Sequence, residues 1–118
     1  MMQKAKQTNY DMIIIGGGPA GLAAAIYAGR AHRSTLLLEQ RKEGGQIAQT
    51  AEIENFPGGL PGESGASLTQ RMTEQAKSFG VEITYDTITA LQLEGKEKCL
   101  QGEKNSYCGK TVIIATGA

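Results

Sequence analysis

The sequence carries no surplus of charge. Lys and Arg number 12, Asp and Glu number 12, and the formal net charge is zero. So balanced a chain has no electrostatic footprint for nucleic acid or for an anionic membrane surface, and neither partner is expected. Long apolar runs are missing too: runs such as Met12 to Ile15 fall far short of a membrane span. Met1 to Asn9 is polar and mildly basic, reads as a flexible lead-in, and is followed by no apolar signal-type segment. A cytoplasmic protein is the expectation. The one histidine, His32, follows a predicted helix, where a positive charge is mildly favoured. No nucleophile or second partner accompanies it, so it is read as structural and no catalytic residue is assigned. There are two cysteines, Cys99 and Cys108, with eight residues between them. That spacing is neither a C-x-x-C redox pair nor a zinc pattern. The expectation is two ordinary thiols in or near strands, and no metal site.

Glycine is what the sequence has in excess. Its 16 residues in 118 are about twice the usual share of roughly 7%. They are clustered, which points to tight turns and to close approach of backbone to a ligand. Tyr10 to Ile15 is an apolar, β-branched run that ends in Gly16-Gly17-Gly18 and reads as a buried parallel strand. Pro19 to Ala31 reads as a helix: Pro suits its first turn, and Leu22, Ala25, Ile26 and Gly29 share a face. Thr35 to Leu38, closed by Glu39, completes a βαβ unit with a right-handed crossover. Gly44 to Gly65 is Gly- and Pro-rich and irregular, as functional or disordered stretches are. The spacing of Leu68, Met72, Gln75, Ala76 and Phe79 predicts a helix over Ser64 to Phe79, stopped by Gly80. Val81 to Thr84 follows as a third parallel strand. Thr87 to Leu93, Lys98 to Gln101 and Ser106 to Cys108 read as a three-stranded antiparallel meander, and Thr111 to Ala115 as a further apolar run. Tyr10, Met72 and Phe79 are expected at the core or its edge.

Gly16-x-Gly18-x-x-Gly21 stands between a predicted strand and a predicted helix, the context a dinucleotide fingerprint requires. Gly16 permits the tight turn, Gly18 lets backbone approach a pyrophosphate, and Gly21 lets the helix pack close to the strand. Unpaired N–H groups and the dipole at the helix start favour the diphosphate. Glu39, 18 residues beyond Gly21, ends the second strand, where its carboxylate can accept from both hydroxyls of an adenosine ribose. The same charge repels a 2′-phosphate, although Arg41 and Lys42 follow it. To this point NAD and FAD are equally allowed, since both carry an ADP half.

Three further segments separate them. Gly44-Gly45-Gln46, Ile53-Glu54-Asn55-Phe56-Pro57-Gly58 and the closing Ala115-Thr116-Gly117-Ala118 together resemble the low-molecular-weight thioredoxin reductases, over Tyr10 to Ala118. The resemblance implies an α/β, three-layer ββα FAD/NAD(P)-binding domain of Rossmann-like type, a parallel sheet with helices on one face and an antiparallel three-stranded meander on the other. It implies FAD as cofactor and residues 10–118 as the N-terminal part of the FAD-binding domain. By position it implies that Gly17, Gly18, Pro19 and Ala20 cradle the pyrophosphate beside Gly16 and Gly21, and that Glu39 holds the ribose. Gly45 and Gln46 would lie along the flavin and ribityl region, Asn55 near the isoalloxazine, and Ile88 against the adenine. Thr116 and Gly117 would close the pocket.

In that family electrons pass from NADPH to FAD and on to a protein disulfide, a thioredoxin-like partner. The family's C-x-x-C pair, its NADPH-binding domain and its closing FAD segment are absent from these 118 residues. A flavin turns over only with both redox partners held against it, so the isolated chain is expected not to catalyse. Other readings are a relative linked to ferredoxin or peroxiredoxin, and a non-catalytic dinucleotide-binding module that self-associates, as a homodimer for example, through exposed sheet edges. A plain NAD dehydrogenase explains neither Gly44 to Gly58 nor the Thr116-Gly117 ending.

Overall fold

A computed structural model describes residues 9–40 and 55–117. In chain order the elements are β1 (Asn9–Ile15), α1 (Pro19–Arg30), β2 (Thr35–Glu39), α2 (Gly65–Ser78), β3 (Glu82–Tyr85), β4 (Ile88–Gln92), β5 (Lys98–Gly102) and β6 (Ser106–Ile114). The six strands form one sheet in the order β3-β2-β1-β6-β5-β4. β3, β2, β1 and β6 run parallel. β6, β5 and β4 pair antiparallel.

Neighbouring residues of a strand face opposite sides of a sheet, so a strand covered on both faces is apolar throughout. Ile14 and Leu37 pack with Leu22, Ala25 and Ile26 of α1 and Leu68, Met72 and Ala76 of α2. Their neighbours Ile13, Leu36 and Leu38 pack with Tyr10, Leu100 and Tyr107 in a second cluster. The helices thus cover one face and the meander the other, the three-layer arrangement that the resemblance implies. α1 starts with Pro19 at its first position and ends at Ala31, after which His32 takes φ 61°. The His32 N–H donates to Gly29 O at 2.9 Å, so this histidine stands where helices often place a glycine. Ser64 caps α2 by accepting from the Ser67 N–H.

Four expectations are corrected by the fold. Asn9 is no lead-in residue but the first residue of β1, while Met1 to Thr8 lie outside the described residues. Ser106 to Cys108 and Thr111 to Ala115 are not separate pieces: β6 runs unbroken from Ser106 to Ile114. Ser106 to Gly109 pair with β5 and Cys108 to Ile114 with β1, so the two ladders overlap at Cys108 and Gly109. Gly109 lies within it because a Cβ there would press against Ile13 Cγ1, at 3.0 Å, and Tyr10 O, at 3.1 Å. On α2 the inward face is carried by Thr69 and Thr73 rather than Gln75 and Phe79; Gln75 is exposed and Phe79 is 41% exposed. Thr69 Oγ1 donates to Gly65 O at 3.0 Å, which lets a polar residue sit inside. Finally, Cys99 and Cys108 are not separate thiols. They face each other directly in the β5–β6 ladder, with Cα atoms 4.1 Å apart, and form a disulfide.

Glu63 carries no signal in the sequence, yet it is fixed just before α2 and only 5% exposed. Its carboxylate accepts from Arg71 Nε at 2.6 Å and Nη2 at 2.7 Å, from Leu60 N–H at 3.1 Å and from Ser67 Oγ at 3.0 Å. The Arg71 guanidinium, against the opposing effect of burial, holds the Glu63 carboxyl down at about 2 from its usual 4.5. A depressed acid of this kind contributes stability that is complete above the unfolded value and is lost as pH falls through the folded one. The stability difference between wild type and Glu63→Gln is therefore expected to be full at pH 6 and to shrink as pH drops from 4.5 toward about 2. Urea unfolding at a series of pH values checks this; a difference independent of pH contradicts it.

Candidate dinucleotide-binding site

The chain reverses its sheet order at β1: β2 and β3 extend one way, and β6, β5 and β4 the other. In open α/β sheets ligands bind beyond the carboxyl ends of the strands at such a point. A cleft of about 470 Å³ opens there. Ile15 and Gly16 at the end of β1, Leu38, Glu39 and Gln40 at the end of β2, and Ile114 and Thr116 at the end of β6 form its floor. Asp86 and the β4 residues Ile88, Thr89, Ala90 and Leu91 form a wall.

The turn beside it has the geometry that its glycines allow. Gly16 sits at φ 120°, and its N–H donates to Leu38 O at 2.8 Å. A side chain on Gly16 would run into the Ala115 carbonyl, and one on Gly21 into the Gly16 carbonyl, so both positions are closed by backbone. Gly18 differs: a Cβ there would meet nothing within 4 Å. It caps α1 without a side-chain hydrogen bond, Pro19 follows, and no acid lies in the first turn. The positive end of α1, with N–H groups that no helical carbonyl can satisfy, thus has no acid in its own first turn.

Glu39 is fixed from both sides. Its Oε2 accepts from the Gly17 N–H at 2.8 Å and its Oε1 from the Gln40 N–H at 2.8 Å. A carboxylate offers about four lone-pair sites, so each oxygen keeps acceptor capacity toward the cleft it lines.

The cleft therefore brings together Gly16, Glu39, Ile88 and Thr116, with Gly17, Gly18, Pro19, Ala20 and Gly21 in the adjoining turn. Gly117 follows Thr116 at φ 81°. Asn55 is exposed and is not among the residues lining the cleft. Gly45 and Gln46 lie outside the described residues. Sequence reasoning missed Asp86 and the wall residues Thr89, Ala90 and Leu91, which only pairing places beside Glu39: Asp86 N–H donates to Glu39 O at 3.0 Å.

Asp86 anchors that wall. It is 4% exposed and accepts from Tyr107 Oη at 2.7 Å and from the N–H groups of Lys104 and Asn105, both at 3.1 Å. Burial pushes its pKa up, but the Tyr107 hydroxyl and the backbone donors of Lys104, Asn105 and Thr87 outweigh that and leave it lowered. Burial, reinforced by Asp86, pushes Tyr107 up to about 12. The pair is thus an ionised carboxylate holding a neutral phenol.

The family described as pyridine nucleotide-disulphide oxidoreductase matches residues 10–118. The chain belongs to that family. Within it, thioredoxin reductases are close in sequence and in structure. Those of Peptoclostridium acidaminophilum and Peptoclostridium litorale are 51% and 52% identical over 109 residues, which is 92% of this chain and 35% of each of theirs. The crystal structure of thioredoxin reductase from Streptococcus pyogenes superposes with a TM-score of 0.88 at 45% identity, over 93% of this chain and 36% of that one. The chain thus spans about a third of the length of these relatives. In them the matched stretch is the N-terminal FAD-binding part, and the mixed sheet is that of their Rossmann-like FAD-binding domains. No helix among the described residues is long and apolar enough to cross a membrane.

Proposed function

We propose that this chain binds FAD through its ADP half, as the flavin-holding portion of a thioredoxin-reductase-type oxidoreductase working in the cytoplasm. The observation that carries the reading is the turn at Gly18: it is open where a ligand would approach, lies at the start of a helix with no acid in its first turn, and is joined through Gly17 to a cleft-lining carboxylate. These residues fit an adenosine diphosphate. N–H groups of the turn and of Ala20 and Gly21 face the phosphates, Glu39 accepts from ribose hydroxyls, and the aliphatic side chain of Ile88 meets the adenine. Thr116 and Gly117 bound the cleft beyond β6. The role of Asn55 and that of Gly45 and Gln46 toward the flavin ring rest on the resemblance alone.

Bound FAD would supply the two-electron carrier between a nicotinamide and a disulfide. This chain's residues would position it by its ADP end and exclude water from one wall of the cleft. NADPH as donor and a thioredoxin-like disulfide protein as acceptor are proposed on the same family footing. Turnover requires both partners held against the flavin, and the described residues are proposed to serve binding only.

Titrating the purified chain with FAD, followed by flavin fluorescence, tests the reading. Saturable binding competed by ADP is the expected result, with NADP a poorer competitor than NAD because Glu39 repels a 2′-phosphate. A folded chain that binds neither FAD nor ADP would refute it.

A further inference from the structure

The Cys99–Cys108 disulfide lies outside the lining of the dinucleotide cleft, but Cys99 faces Gln92 in the β4–β5 ladder, next to the wall residue Leu91. Cys108 pairs with Asn9, the first residue of β1, while the glycine turn follows Ile15 at that strand's other end. Six strand residues at about 3.3 Å each put roughly 20 Å between the disulfide and the turn. The two sulfurs are brought together by register. Cys99 faces Cys108 directly, flanked by the Lys98–Gly109, Leu100–Tyr107 and Gln101–Ser106 pairs. The turn beyond them is closed by the Gly102 N–H to Asn105 O bond at 2.8 Å. These contacts do not involve the sulfurs, so the ladder holds the cysteines opposite each other whether or not they are bonded. Exposure is unequal: Cys108 is 2% exposed, whereas Cys99 is half-buried. The Glu97 carboxylate lies within 4.8 Å of both sulfurs. With the sulfurs joined to each other the trio is not read as a metal site.

We propose that Cys99 and Cys108 form a reversible dithiol–disulfide couple, a modification site at the far end of β1 from the glycine turn, which exchanges with small thiols through Cys99 Sγ. Reactivity in exchange depends on which sulfur a nucleophile can reach, and in this ladder that is Cys99. A thiolate attacks Cys99 Sγ, forming a mixed disulfide. The Cys99–Cys108 bond breaks, its electron pair goes to the Cys108 sulfur, and that sulfur takes up a proton. A second thiolate then attacks the outer sulfur of the mixed disulfide, releasing Cys99 as thiolate and a small disulfide as product. The protein gains two electrons and the two small thiols lose them. A small disulfide such as oxidised glutathione runs the sequence backwards. In a cytoplasmic setting, a bond of this kind is transient or redox-sensing rather than a fixed staple.

The test uses the full chain. After incubation with oxidised glutathione, acid quenching and denaturation, iodoacetamide is expected to label neither cysteine. After dithiothreitol it labels both, and after return to oxidised glutathione neither again. With excess cysteamine and early quenching, the trapped mixed disulfide should map to the peptide of Cys99. Two labelled cysteines after oxidised glutathione would overturn the couple, and an adduct on Cys108 would overturn the attack site. ADP affinity of the oxidised and reduced chains should agree within about twofold, because the glycine turn lies about 20 Å along β1 from the sulfurs and the ladder hydrogen bonds hold β4 in either state. A larger difference would overturn that independence. A chain that binds no ADP leaves the labelling results standing, because they do not depend on the cleft.

Discussion

Asp86→Ala is expected to destabilise the chain by about 3 kcal/mol in urea unfolding at pH 7, a larger loss than either Glu63→Gln or Gly18→Val should cause. The native carboxylate satisfies several donors at once, among them the Tyr107 hydroxyl and the N–H groups of Lys104 and Asn105. Removing it leaves Tyr107, 7% exposed, without that acceptor, and a donor stranded in low dielectric costs about 1–3 kcal/mol. Alanine also opens a void beside Gly102, whose Cβ position is taken by the Asp86 carboxylate. Asparagine is no remedy, because its amide would turn donors toward donors. A loss below about 1 kcal/mol for Asp86→Ala would mean that water replaces these hydrogen bonds at little cost. Because Asp86 also lines the cleft beside Ile88, the variant should lose ADP affinity as well.

Gly18→Val is expected to do the reverse, sparing the fold and removing the ligand. The Cβ would enter open space, and φ is −78°, a value any residue adopts. The cost to stability is then that of an unfavourable helix cap, about 1 kcal/mol. The branched side chain would stand where a diphosphate has to approach the turn. Losing two charge-assisted N–H bonds at about 1.5 kcal/mol each lowers affinity for FAD and ADP by roughly 100-fold. Titrations of both ligands against the variant, with a urea melt as control, measure the two halves of this expectation. Affinity retained within about threefold would place the phosphates elsewhere. Gly21→Ala makes a useful contrast: its Cβ overlaps the Gly16 carbonyl, so there the turn itself has to shift.

How far sequence led to structure depended on the range of the physics. β1, β2 and both helices were legible because their signals are local: a β-branched run, Pro at a helix start, and apolar spacing that ends at Gly80. The glycine turn was legible for the same reason, since each glycine is required by its immediate neighbours. What escaped depended on register between distant strands. Nothing near Cys99 announces that Cys108 faces it, and nothing near Gly109 shows that the strand passes straight through. Asp86 reads as a turn acid until β5 and β6 bring Tyr107 and the 104–105 amides around it. Glu63 likewise looks like an ordinary loop acid until α2 carries Arg71 back over it. The cleft wall of Thr89, Ala90 and Leu91 is an unremarkable strand in sequence, and it becomes part of a site only because Asp86 docks on Glu39.

β6 sets the order in which this chain is able to mature. Its partner β1 is synthesised well before it: Asn9 and Cys108 are ninety-nine residues apart. At about 5–20 residues per second, β1 waits roughly 5–20 s for the strand that covers its second edge. Through that interval Ile13, Ile14 and Ile15 border an unpaired edge, and β2 is the only neighbour in the finished sheet that has already been made. A strand paired on both edges in the native sheet thus spends that interval with one edge open.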